Sequence, residues 1–190
     1  VQYWAWKNYE ADYYGLCHYR RYLSFADQYF ECNEPHRFAV ERELQKKAVR
    51  KYGLLNTVAM SRTIMQYDVI TSLEYPVNAL PFSPTPKIER DVWKNHPDIM
   101  IYDKDLELAL VLIKERFPQY YDAAIEVLQS ETHRGFNCFI MKRAYFQEMC
   151  DFEFSILFEL ERRIDIDSYG GKLQRTLGYI GEILYSTYIH

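Results

Sequence analysis

His18, Arg20 and Arg21 fall within the six-residue string CHYRRY. Two planar guanidinium groups beside an imidazole suit a phosphate or diphosphate, because each guanidinium can hold two oxygens at once. Ion pairing with some of the chain's 27 carboxylates is the competing explanation. Asn137 interrupts the apolar run Phe136 to Met141, just after His133 and Arg134. A buried amide must find partners, so Asn137 is either a structural hydrogen-bonder or a ligand contact. Arg175 and Glu182 are two helical turns apart, which places them on one helix face near Gly178 and Gly181, where another group can approach closely. A carboxylate beside such a gap could act as a general base, although exposed or ion-paired glutamates are commoner. Asp103/Asp105 and Asp165/Asp167 have the Asp-x-Asp spacing that can share Mg or Mn. Capping and turn chemistry explain such aspartates as well, so a divalent metal is not favoured and no residue is assigned to one.

The elements that must position these residues follow from periodicity and breakers. Asp12 to Leu23 reads as a strand, apolar in its first half and basic in its second, that carries the arginines to a rim. Arg37 to Tyr52 reads as a basic helix ended by Gly53, Asn56 to Tyr67 as a second helix, and Asp68 to Leu73 as a short buried strand. Pro76, Pro81, Pro84 and Pro86 make the next stretch an irregular loop. Asp103 reads as the cap of a helix with Leu106, Leu110, Ile113 and Phe117 on one side, and Pro118 opens the helix that follows. Phe136 to Met141 is then a buried strand, Arg143 to Ile164 a long helix, and Leu173, Leu177, Ile180 and Leu184 the stripe of a final helix. Tyr3, Trp4 and Trp6 open the chain as aromatic core packing. Strands separated by helices imply an α/β layered domain, a single one over residues 1–190, with a central, mostly parallel sheet and a helix-rich C-terminal half.

Composition narrows the function classes. Net charge is −4, so no global field attracts a polyanion, and nucleic-acid binding is not expected. Apolar runs are too short for a spanning helix. The basic helix leaves peripheral membrane association as an option. Cys17, Cys32, Cys138 and Cys150 lack the spacing of a zinc site or a dense disulfide framework, which suits a reducing cytoplasm. Eighteen tyrosines favour a cleft or contact face with half-wet walls. The start at Val1, without an initiator Met, suggests a fragment.

The strings YWAWKN, DYYGLCHYRRYL, YDVI, FNCFIMKRAYF and RTLGYIGEILYSTYI, in that order, resemble a bacterial family of capsular and exopolysaccharide biosynthesis proteins regarded as glycosyltransferase-like. The resemblance implies a GT-A-like, Rossmann-related fold, and the expected location is the cytoplasm, with the inner face of the membrane as an option. It also implies transfer of a sugar from a nucleotide-sugar donor to a glycan or lipid-linked glycan acceptor. His18, Arg20 and Arg21 would be donor-site residues, with Asn137, Arg175 and Glu182 lining the same cleft and Glu182 as the base. Two departures stand out: the family's strand ahead of YWAWKN is missing, which puts activity of the fragment alone in question, and Cys138 replaces a frequent Met. A non-catalytic glycan- or protein-binding module of a polysaccharide assembly complex is the alternative.

Overall fold

The computed structural model describes residues 1–28, 30, 39–94 and 99–190. In chain order its elements are α1 (Gln2–Asn8), β1 (Tyr13–Leu16), α2 (Lys46–Lys51), α3 (Thr57–Ile64), β2 (Val69–Thr71), β3 (Tyr75–Pro76), α4 (Glu89–Trp93), α5 (Asp103–Arg116), α6 (Tyr121–Gln129), β4 (Thr132–His133), β5 (Phe139–Lys142), α7 (Arg143–Arg163) and α8 (Thr176–Ile189). They form two compact units, one of residues 1–73 with 136–147 and the other of residues 74–135 with 148–190. None of the described helices is long and apolar enough to cross a membrane.

In the first unit β5 lies between β1 and β2 and pairs antiparallel with both. This corrects the expectation of a mostly parallel sheet. The helices between β1 and β2 look like a crossover connection, but the two strands never become neighbours. A strand from far along the chain occupies the space between them and runs the other way. The expected strand Asp12 to Leu23 is also shorter: regular pairing stops at Leu16, and the chain turns at His18 to Arg21. Tyr14 stacks flat on Phe146 with ring centroids 4.1 Å apart, which ties the sheet to the start of α7. Tyr14 also donates from its hydroxyl to the Tyr9 carbonyl at 2.7 Å.

Other boundaries have local causes. Asn56 caps α3 by accepting the Ala59 N–H at 3.1 Å. Gly53 has φ +62°, and a Cβ there would come within 2.9 Å of the Phe25 carbonyl carbon, so this turn requires glycine. The basic helix α2 is shorter than expected, since residues 39–45 are not helical, and Arg37 lies outside the described residues. Tyr3 and Trp4 are exposed rather than core. Within the expected Asp68 to Leu73 strand only Val69–Thr71 forms a strand, and its residues are half buried rather than buried, while Asp68 and Leu73 are exposed.

The second unit holds the larger core. Leu106, Leu110 and Ile113 of α5 pack with Phe152, Ile156 and Leu160 of α7 and with Ile180 and Leu184 of α8. Asp103 lies in the first turn of α5 rather than at its cap, which is Tyr102. Asp105 is 2% exposed, and the Tyr169 hydroxyl donates to its two oxygens at 2.9 and 3.1 Å. The Glu159 carboxylate is ringed by Arg116, Arg162 and Arg163. The hydrogen bond from Arg163 is the main reason that carboxyl sits below the usual range, against the opposing effect of burial.

Tyr169→Phe should therefore lower stability by about 1–3 kcal/mol in a denaturant titration, because it removes the donor from a buried carboxylate. A depressed folded-state pKa at Glu159 adds stability that is complete above its ordinary value of 4.5 and is lost as pH falls through the lowered value. Glu159→Gln should flatten the acid limb of the stability curve below about that pH.

Candidate functional site

The first unit brings His18, Arg20, Arg21 and Asn137 to the end of its sheet. Leaving β1, the chain reverses so that the Arg21 N–H donates to the His18 carbonyl at 3.0 Å. Within this turn His18 Nδ1 accepts the Arg20 N–H at 3.3 Å, and its ring lies 4.1 Å from that of Tyr19. That hydrogen bond and ring contact fix the imidazole as part of the turn. The Arg20 guanidinium sits 4.9 Å from the Tyr19 ring centre, and that of Arg21 lies 4.5 Å from the Phe136 ring centre. Each guanidinium thus has an aromatic ring within cation–π distance, a contact that favours the cation at this position. Both arginines are exposed, and among the described residues no carboxylate lies within ion-pair distance of Arg20. Among the described residues the ion-pair explanation thus finds no partner for Arg20.

Asn137, the neighbour of Phe136, has φ +46°. That left-handed conformation is one asparagine tolerates better than most residues, and it lets the chain bend directly before β5. Asn137 thus has a backbone role at this bend.

Arg175 and Glu182 lie in the second unit. Arg175 is not on the helix face shared with Glu182, because the segment Gly171–Arg175 is a 3₁₀ turn and Arg175 caps α8. Its guanidinium stands 5.3 Å from the Tyr179 ring centre, and Tyr179 lies 5.8 Å from Trp93. Trp93 donates its indole N–H to Glu89 Oε1 at 3.1 Å, and His133 Nδ1 shares a 2.8 Å hydrogen bond with the same oxygen. Glu89 and His133 are both buried. A Cβ on Gly135 would come within 2.7 Å of the His133 ring and 3.0 Å of Glu182 Cβ, so this glycine allows the imidazole and Glu182 to approach. Gly178, by contrast, faces open space.

Glu89 is the functional-type residue that sequence reading misses. An acidic residue at the start of a helix looks like ordinary helix chemistry, and its partner His133 is 44 residues away. Glu89 also borders a cavity of about 30 Å³, room for about one water, together with Ser130, Thr132, Arg134, Glu74 and His190. Its Oε2 is buried with no hydrogen-bond partner among the described residues. Arg134 ion-pairs with Glu74. Burial raises the Glu74 carboxyl, but hydrogen bonds from Arg134 and Thr132 outweigh it and hold the group below its ordinary range.

The aspartate pairs divide. Asp103 binds Lys94 at 2.6 Å, and Asp105 is committed to Tyr169, so the first pair does not fit a divalent cation. Asp165 and Asp167 flank Ile166 at an exposed 3₁₀ turn. His36 and His96 lie outside the described residues.

A family model described as a domain of unknown function, DUF4422, matches residues 1–190. The chain belongs to this family. The structure is similar to that of WbbM, a bifunctional glycosyltransferase solved in its apo form, with a TM-score of 0.85 and 25% sequence identity. The match covers 99% of this chain and 32% of that one, so this DUF4422 member spans about a third of the WbbM chain. No curated protein matches the sequence.

Glu89→Ala should strip two buried donors, on Trp93 and His133, of their shared acceptor. At about 1–3 kcal/mol per orphaned donor the loss should be about 2–6 kcal/mol in chemical denaturation. Arg20→Ala should leave the melting temperature almost unchanged, because that side chain is exposed and has no ion pair among the described residues.

Proposed function

We propose that the protein catalyses, or forms the catalytic part of, a sugar transfer from a nucleotide-sugar donor to a glycan or lipid-linked glycan acceptor in capsular or exopolysaccharide synthesis. The observation that carries this reading is the similarity of nearly the whole chain to part of a bifunctional glycosyltransferase. The His18 to Arg21 turn supplies the matching chemistry. When a glycosidic bond to a nucleoside diphosphate breaks, negative charge grows on the departing phosphate. Cations already held in place stabilise that charge without having to reorganise. Arg20 and Arg21, gripped by their aromatic neighbours, are proposed to fill this role, with His18 shaping the turn and Asn137 setting the backbone beside it. In the second unit Arg175 is proposed as a substrate contact and Glu182 as the base that takes the proton of an acceptor hydroxyl.

A second reading, a non-catalytic binding module, is favoured by the exposed Tyr3, Trp4, Tyr9, Tyr19 and Tyr22, whose faces suit sugar rings. Donor turnover separates the two.

Arg20→Ala with Arg21→Ala should abolish thermal stabilisation by nucleoside diphosphates, and Arg20→Lys should weaken it, since an ammonium lacks the planar fork. Stabilisation that persists in the double variant would place the phosphate site elsewhere. A chelator should leave donor binding nearly unchanged; a strict Mn requirement removed by Asp165→Asn with Asp167→Asn would reverse that assignment. Glu182→Gln should lower turnover by about 100-fold or more with donor affinity retained, in line with the usual contribution of a general base.

A further inference from the structure

The sheet register places two thiols opposite each other where β1 gives way to the basic turn. Leu16 pairs with Phe139, so the next facing positions are Cys17 and Cys138. The Arg143 N–H donates to the Asp12 carbonyl at 2.9 Å, marking that pair as hydrogen-bonded. The regular ladder ends at Leu16 and Phe139; hydrogen-bonded and non-hydrogen-bonded pairs alternate along it, so the same alternation carried one residue further would give Cys17 and Cys138 a non-hydrogen-bonded position. At such sites facing Cα atoms are about 4.5 Å apart and side chains approach closely. That spacing lies at the short end of the roughly 4.4–6.8 Å that a disulfide spans. The preceding site of the same kind is Gly15 and Ile140, where a Cβ on Gly15 would lie 3.2 Å from Ile140 Cγ1, so the two strands are in close contact on this face. The Ser72 N–H donates to the Cys138 carbonyl at 3.3 Å, which holds Cys138 in the ladder on its other edge.

We propose that Cys17 and Cys138 form a cross-strand dithiol that closes to a disulfide by exchange with a low-molecular-weight disulfide. Cys17 is exposed and Cys138 buried, which assigns the steps. The Cys17 thiolate attacks one sulfur of the small disulfide, forming a mixed disulfide and expelling one small thiolate. Cys138 then loses its proton and attacks the Cys17 sulfur, closing the protein disulfide and expelling the second small thiolate. Two protein thiols are oxidised and one small disulfide is reduced to two thiols. Burial, and after it the neighbouring Cys17, push the Cys138 thiol up to about 11, while Arg21 pulls the other way, so the second step is the slow one. Reversible closure of this kind fits redox sensing better than a structural bridge. His18 follows Cys17 directly, so the bridge would fasten the root of the turn that carries Arg20 and Arg21. The inference stands apart from the glycosyl-transfer reading.

The test exposes the reduced full chain to oxidised glutathione, blocks remaining thiols with an alkylating agent and maps cysteine peptides by mass spectrometry. The expected result is one linked peptide containing Cys17 and Cys138, a mass loss of two hydrogens and no retained glutathione. Cys17→Ser, a change at an exposed position, should abolish the link and leave Cys138 alkylated only after denaturation. Cys138→Ala, where it folds, should stop at a glutathione adduct on Cys17. A stable adduct on Cys17 in the unsubstituted chain, a link from Cys17 to Cys32 or Cys150, or an unmodified Cys17 would each overturn the proposal.

Discussion

The backbone hydrogen bonds on both edges of β5 are the constraint on which the first unit depends. They seat four residues of one strand between two others that enter from distant parts of the sequence. Because β5 is fixed on both sides, the segment just before it is fixed as well, and Phe136 is presented where the Arg21 guanidinium can lie against it. The opposite strand ends at the same level and releases the His18 to Arg21 turn. One register thus delivers an aromatic face, two arginines and two facing cysteine positions to one end of a small sheet. A slip of one residue would move the side chains of β5 to the other face and carry Phe136 away from Arg21.

The second unit is organised around a buried polar network inside a larger apolar core. Glu89 Oε1 receives Trp93 and shares a hydrogen bond with His133. Gly135 leaves room for His133 to lie near Glu182. Such networks cost stability when any member is removed, which makes them effective at fixing side-chain position. The same unit commits Asp105 to Tyr169 and Glu159 to three arginines, so several of its acidic groups have structural work.

Much of this was legible from local patterns. The stripe Leu106, Leu110, Ile113 gave α5 and the long apolar face after Arg143 gave α7, because a helix's own periodicity is written in consecutive residues. The glycine after Tyr52 marked the end of the basic helix for the same reason. Strand partnership was not legible. Whether β5 pairs parallel or antiparallel depends on contacts more than a hundred residues apart in sequence, such as Arg143 with Asp12, and nothing in FNCFIM states them. The arginines were visible as a pair, but the aromatic support of Arg21 was not, since Phe136 reaches it only through the sheet. Glu89 was invisible for a similar reason: its burial comes from the packing of α4 and β4, not from its neighbours in the chain.

The central claim is that the paired guanidiniums of the first unit bind the diphosphate of a sugar donor. Its most direct measurement is a side-chain NMR titration of the arginine Nε–H groups in the full chain with uridine and guanosine diphosphates, assigned by single Arg→Lys substitutions. The account expects the Arg20 and Arg21 signals to shift together and saturate with at least one of the two nucleotides. Saturable binding detected elsewhere in the protein while both signals stay unmoved would contradict it.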